Sequence, residues 1–219
     1  MNRGILFIEM FKLFKRRRAW IGPVLVFLLI IISFPLTLDI NSDNPPQIYL
    51  SFIWISTLLV TMLGTELIFS DDFEDGTLEQ YAVNDQLIEV VFYKIFVHWV
   101  LIGIPLAFVA FLFILSLNIS IQISSIALLC LIISNLIFIN FFSLGNALSL
   151  KKGSILGLLI TIPFLIPVLI VLGKMTTSAL LGLSLIGHLS LLVGVMILVA
   201  SFIPCLLYTS PSPRDAIPS

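Results

Sequence analysis

Read for polarity alone, the 219-residue chain is a series of long apolar runs separated by short polar breaks. Six runs stand out: Trp20–Leu38, Gln47–Phe69, Val91–Leu115, Ile121–Leu148, Ile155–Leu172 and Ala179–Pro204. Each is close to or above the roughly 20 residues that an α-helix needs to cross a bilayer. None alternates polar and apolar residues as a barrel strand would. Backbone in lipid must be satisfied within its own segment, so all six runs are predicted helices. The expected fold is an all-α integral membrane protein with six transmembrane helices, forming one domain over residues 1–204. The outer breaks, Asp39–Pro46, Asn118–Ile121 and Gly173–Ser178, are short and leave no room for an outer domain.

A different pattern precedes the first run. Phe7, Met10, Phe11 and Phe14 recur at i, i+3, i+4, i+7, with Glu9, Lys12, Lys15 and Arg16 on the opposite face. This spacing predicts an amphipathic helix over about residues 5–18, lying in the cytoplasmic interface with Arg16–Arg18 at anionic headgroups. A basic start followed by an apolar run also suits a signal peptide. However, the run is longer than an h-region and no small-x-small cleavage site follows it, so it reads as a retained first span. From Cys205 the texture changes to CLLYTSPSPRDAIPS, without helical periodicity. Residues 205–219 read as a disordered or non-native tail and carry no part of the functional expectation.

Composition strengthens the membrane reading. The chain is 59% hydrophobic and 11% charged, with a mean hydropathy of +1.18. Soluble domains are roughly 45–50% apolar and about 25% charged. The net charge of −1 gives nucleic acid nothing to bind. Cys130 and Cys205 each sit in an apolar run, and suggest neither a disulfide framework nor a metal site. Lysine and arginine set the orientation. With the N-terminus in the cytoplasm, the inner segments hold Arg3, Lys12, Lys15, Arg16, Arg17, Arg18, Lys94, Lys151, Lys152 and Arg214, and the outer ones only Lys174. Both termini are then cytoplasmic.

One stretch breaks the apolar texture. Residues 68–89, IFSDDFEDGTLEQYAVNDQLIE, carry the carboxylates Asp71, Asp72, Glu74, Asp75, Glu79, Asp85 and Glu89 without one Lys or Arg. Alternation of the spans places this stretch in the cytoplasm. Gly76 marks a turn, and Thr77-Leu-Glu-Gln80 fits a capping box in which the Thr77 hydroxyl meets the Gln80 N–H. Glu79 falls in the first turn, where the helix dipole favours it. Asn84, Asp85 and Gln86 break that helix and cap the next. The expectation is a short cytoplasmic surface helix between spans two and three: an ordinary solvated loop, or a docking element for a partner with basic surface.

Candidate chemistry is sparse. There is no G-x-x-x-x-G-K-[ST], H-E-x-x-H, G-x-S-x-G or C-x-x-C, so no nucleotide, zinc, acyl-transfer or redox motif of the chain's own. The polar residues within or near spans are Glu66, His98, Asn135, Asn140, Asn146 and His188. Ionisable groups at membrane depth are functional candidates by default, weighed here against interhelical hydrogen bonds for the asparagines and packed neutral imidazoles for the histidines. Gly153-Ser-Ile-Leu-Gly157 offers a close-packing G-x-x-x-G face at the start of span five.

Several of these strings resemble one family. Phe69-Ser-Asp-Asp72, Asp75-Gly-Thr-Leu-Glu-Gln80 and Lys94-Ile-Phe-Val-His-Trp99 are similar to the heme exporter protein B family, as are Phe34-Pro-Leu36 and Pro163-Phe-Leu-Ile-Pro167. The resemblance implies the membrane permease subunit of the cytochrome c maturation ABC transporter, in the bacterial inner membrane. It implies no ATPase and no cofactor of the chain's own. Two copies pair with two copies of a cytoplasmic ATP-binding subunit, beside a heme-handling membrane subunit and a small helper. ATP then sits on the partner, and heme is the candidate substrate. Under the same resemblance, the segment over about 70–89 is the coupling element, with Asp71, Asp72, Asp75, Gly76, Thr77, Leu78, Glu79 and Gln80 as the ATPase contact. Two places depart from the family pattern: Val83-Asn-Asp-Gln86 is polar where an apolar, Pro-containing stretch is expected, and the tail matches nothing. Competing expectations are a non-transporting scaffold of a heme-handling complex, and a secondary transporter with Glu66 and His98 as proton carriers.

Overall fold

The computed structural model describes residues 3–37, 46–150 and 154–209, and every described element is helical. In chain order these are α1 (Arg3–Lys15), α2 (Arg17–Thr37), α3 (Pro46–Thr65), α4 (Ser70–Glu74), α5 (Thr77–Val83), α6 (Leu87–His98), α7 (Ile104–Ser116), α8 (Ile121–Ser149), α9 (Ser154–Leu180) and α10 (Ile186–Thr209). A five-residue π-helical segment, Trp99–Gly103, joins α6 to α7 without a break. Among the described residues, five stretches are long and apolar enough to cross a membrane: Arg17–Thr37, Pro46–Glu74, Leu87–Ser116, Ile121–Ser149 and Ile160–Leu180. Helix α10 runs to Thr209, past Cys205, where a tail without helical periodicity was expected. This is a multi-pass membrane protein.

Helix α8 is the hub of the bundle, packed by α3, α6, α7, α9 and α10. Its Leu131, Ile137, Phe138 and Phe142 are fully enclosed, together with Phe27 of α2, Leu50 and Ile53 of α3, and Leu106 of α7. Large side chains such as Leu29, Leu63, Phe108 and Ile197 point out of the bundle. That inversion suits lipid, which solvates an apolar rim as well as a neighbouring helix does. Close approach between α8 and α9 depends on glycine. A Cβ on Gly145 would lie 2.6 Å from the Gly157 carbonyl oxygen, and one on Gly157 would run into the Gly145 carbonyl. The expected partner of Gly157 within a G-x-x-x-G motif, Gly153, lies outside the described residues. Gly157 does pack closely, but on Gly145 of the neighbouring helix.

Two further boundaries differ from expectation. The predicted outer break Gly173–Ser178 is helical, and α9 runs on to Leu180 before turning at Gly182, which has a φ of +67°. Polar side chains there do not break the helix because the helix itself satisfies them. The Thr176 and Thr177 hydroxyls donate to the Leu172 and Gly173 carbonyls. They also accept from Trp54 Nε1 at 2.9 Å and Gln47 Nε2 at 2.8 Å, which ties α9 to α3. As a result His188, expected near the middle of span six, lies in the first turn of α10.

Candidate functional site

The site begins where α3 ends. Thr61 and Thr65 turn their hydroxyls back onto the Thr57 and Thr61 carbonyls, and Asn146 of α8 donates to the Thr65 carbonyl at 2.7 Å. The end of α3 is therefore held from the side rather than left to water. After a turn over Glu66–Phe69, Ile68 and Phe69 plug into an apolar cluster with Val91, Ile95, Ile139 and Val199. That anchor fixes the direction in which the next residues project.

Next comes the acidic stretch, which is split in two. Asp71 pairs with Arg16, and Asp72 is 6% exposed. The Asp72 carboxylate lies 2.5 Å from the Lys94 ammonium of α6 and 3.4 Å from that of Lys12. Lys94, itself 6% exposed, also lies 2.9 Å from Glu9, which is 4% exposed. Glu9 in turn faces Lys12 at 3.7 Å. Two carboxylates and two ammonium groups from three separate elements thus form a closed set with no net charge. Such a set withstands desolvation only when its members meet at close range, and losing one member leaves its partners buried and unpaired. Burial draws the Lys12 pKa down, but the charges of Asp72 and Glu9 outweigh it and hold the group above its ordinary 10.5. A raised lysine pKa lends stability below the ordinary value and loses it only as pH climbs past the folded one, so Lys12 stays charged at neutral pH.

Helix α1 meets the rest through this set. Ile5, Glu9 and Leu13, spaced i, i+4, i+8, are its buried stripe, and Ile5 joins Val90 and Tyr93 of α6. Phe7, Met10, Phe11 and Phe14 face outward, with Phe7 65% exposed. On the opposite face Glu9 docks onto protein, while Lys12, Lys15 and Arg16 stay exposed, Lys12 reaching Asp72 from the surface.

The second half of the stretch faces outward. Gly76 adopts φ 71°, ψ 8°, a left-handed conformation that ends α4 and starts α5 at no steric cost. The predicted capping box does not form. Gly76 occupies the N-cap position, so Thr77 is already helical and its hydroxyl makes no cap bond; the Gln80 N–H bonds to the Gly76 carbonyl instead. Glu79 does fall in the first turn of α5, and α5 buries none of its residues. Glu74, Asp75, Glu79 and Gln80 are exposed, with Thr77 and Leu78 half-buried. Asp85, at φ 54°, then breaks the chain as expected, while Gln86 caps α6 without a side-chain bond.

Of the other candidates, Glu66 is exposed in its turn. His98 is buried, with Nδ1 2.8 Å from the Lys94 carbonyl, which makes Nδ1 the protonated, donating nitrogen. His188 has a buried Nδ1 without a hydrogen-bond partner among the described residues. Among the described residues no group of His, Cys, Asp and Glu is gathered as a metal site. Among the described residues, Asn140 bonds within its own helix, to the Leu136 carbonyl. Contacts between helices come from Asn146 and Asn135. The Asn135 amide donates to the Gly103 carbonyl at 3.0 Å, and its oxygen accepts from Thr61 at 3.0 Å. The π segment thereby finds a partner for a carbonyl that irregular winding exposes.

Glu9, Lys12 and Lys94 were not singled out as site residues from sequence. A signal was present: a lone lysine seven residues into an apolar helix requires an acidic partner, and Glu9 and the acidic stretch are the nearest supply on the same side.

Compared with known proteins, residues 3–208 match the profile of the CcmB protein family. The chain belongs to this family. It is 31% identical over 195 residues to the heme exporter protein B of Pseudomonas aeruginosa, covering 88% of this chain and 87% of that protein. It is also 31% identical over 201 residues to the Haemophilus influenzae protein of the same name, covering 88% and 91%. The Rhodobacter capsulatus heme exporter protein B is 28% identical over 201 residues, covering 88% and 90%. A CcmB protein is a membrane subunit of a transport system rather than an enzyme in itself.

Proposed function

We propose that this chain is the permease subunit of an ABC-type heme export system serving c-type cytochrome maturation, in the inner membrane of a bacterium. It crosses the membrane six times, with α10 as the sixth span and both termini in the cytoplasm. Its partners are a cytoplasmic ATP-binding subunit, a heme-handling membrane subunit, a small helper and a second copy of itself. Similarity to proteins named heme exporter protein B along nearly the whole chain supports the system and its cargo. Ten basic residues in the inner segments against one outside support the orientation. Exposed Phe7, Phe11 and Phe14, beside exposed Lys15, Arg17 and Arg18, support α1 as a helix seated in the cytoplasmic interface.

One observation carries the coupling role. Among the described residues, α5 is the element at the α3–α6 junction that buries none of its own side chains, yet it is joined through Gly76 to a charge-locked α4. A surface helix with a rigid root is suited to receive a push from a partner. The contact therefore centres on Asp75, Gly76, Thr77, Leu78, Glu79 and Gln80. Asp71 and Asp72, expected as contacts too, are already paired within the chain, Asp71 with Arg16 at the surface and Asp72 with the buried Lys94. The test is co-purification with the ATP-binding subunit, and stimulation of its ATPase, for wild type and for Asp75→Lys with Glu79→Lys. The expected result is loss of stimulation with the permease still folded. Unchanged stimulation removes α5 from the contact.

A further inference from the structure

We propose that Lys94 is a positioning residue that makes α1, the α4–α5 segment and the cytoplasmic-side end of span three move as one body. This rests on the reading of α5 as the element that receives force. A push on α5 goes nowhere unless α4 is held in all directions. The apolar plug of Ile68 and Phe69 resists withdrawal, but apolar contact is non-directional and tolerates sliding. The ion pairs at 2.5 Å and 2.9 Å from the Lys94 ammonium fix Asp72 and Glu9 relative to α6 in position as well as in depth.

Polar contacts continue inward from Lys94. Its own carbonyl accepts from His98 Nδ1, one turn on. The next residue, Trp99, donates from Nε1 to the Ile132 carbonyl of α8 at 3.0 Å. Trp99 opens the π segment, whose last carbonyl, Gly103, is held by Asn135, also of α8 and itself bonded to Thr61 of α3. Displacement at Asp72 thus has a continuous set of directional contacts to the central helix. A π turn is the place in span three where a small axial shift costs least, because its hydrogen-bond register already departs from the α pattern.

The assignment separates Lys94 from a merely stabilising residue. In the reconstituted complex with its ATP-binding subunit, Lys94→Met leaves the buried Glu9 and Asp72 with the half-exposed Lys12 alone to balance them, and can prevent folding. A triple variant, Glu9→Gln with Asp72→Asn and Lys94→Met, leaves no buried charge, and the one cation that remains, Lys12, is half-exposed. The triple variant is expected to assemble and to bind the ATP-binding subunit with unchanged affinity. ATP-driven heme export should fall by about tenfold or more, the usual range of a coupling energy, while ATP is still hydrolysed. Lys94→Arg alone is expected to keep most of the export. A triple variant that binds its partner and exports heme as wild type does overturns the inference and leaves the docking role of α5 standing. An ATP-binding subunit that fails to bind the wild-type chain removes the docking role itself. A second measurement does not depend on the charge variants. With Cys130 and Cys205 replaced by Ala, a bifunctional maleimide joins cysteines placed at Ile5 and Val90, which share one apolar cluster. One-body movement predicts that export survives this cross-link; loss of export on cross-linking overturns the proposal.

Discussion

Two halves of one acidic stretch behave in opposite ways. Asp72 turns inward onto Lys12 and Lys94 and Asp71 pairs with Arg16 at the surface, whereas Glu74, Asp75 and Glu79 stay in the open with no ion pair among the described residues. Local sequence does not separate them: both halves are dense in carboxylate and both lie in short helices. What differs is the supply of cations brought alongside by the fold. Helix α1 arrives from 60 residues upstream and α6 from 22 residues downstream of Asp72. Acidity in a membrane protein therefore marks what stays out of lipid, not what meets a partner. The residues available to a partner are those left once the chain's own cations have been assigned.

The largest effect follows from breaking the inward half. Lys94→Met leaves two buried carboxylates sharing the half-exposed Lys12, and loss of a buried partner costs about 3–5 kcal/mol. Thermal unfolding in detergent, followed by tryptophan fluorescence, should show a clear fall in midpoint. Much of it should return when Glu9→Gln and Asp72→Asn are added, because the penalty belongs to the unpaired charges. A Lys94→Met variant as stable as wild type would mean that the set is open to water, and the contrast between the two halves would vanish.

Much of the frame was legible in sequence, because lipid imposes a strict rule on length and polarity. The runs at residues 20–38 and 121–148 land within a few residues of α2 and α8. The rule fails where polar side chains can be satisfied by their own helix. That is why Lys174, Thr176 and Thr177 resemble a loop and are not one. Within the acidic stretch, Gly76 as the turn and Asp85 as the break were legible, since both rest on local backbone preference. The Thr77–Gln80 cap was not, because it depends on which residue takes the N-cap position. A glycine able to turn left-handed takes that position one residue earlier. The Glu9–Lys94–Asp72 set was beyond local reasoning altogether. Its members are spread over 86 positions, from Glu9 to Lys94, and only packing brings them together.

The hinge between the halves should give an intermediate effect. At Gly76 a Cβ would meet nothing within 4 Å, so Gly76→Ala introduces no clash. It still asks an alanine to hold φ 71°, which costs roughly 1–2 kcal/mol. The expected signature is local: faster amide hydrogen exchange over 77–83, with a smaller fall in the global midpoint than Lys94→Met gives. Asn at this position should be milder, since it tolerates the left-handed region better. Equal exchange in Gly76→Ala and wild type would show that α5 is not held at its root, and that the inward half does not support the outward one.

The smallest effect on stability, and the sharpest test of the comparison, belongs to the outward half. Asp75→Asn with Glu79→Gln removes two charges that are exposed and make no ion pair among the described residues. Surface changes of this kind stay within about 0.5 kcal/mol. The unfolding midpoint should therefore not move, while affinity for a partner with basic surface falls and the fall shrinks as salt is raised, because exposed charges are screened. Titration calorimetry at two salt concentrations reads both. If neutralising Asp75 and Glu79 leaves affinity unchanged at low salt, the outward carboxylates only keep α5 in water, and recognition passes to backbone shape around Gly76 and the half-buried Leu78. If it lowers stability instead, the outward half has partners inside the assembled chain, and the division of the stretch into a locked root and an offered surface no longer holds.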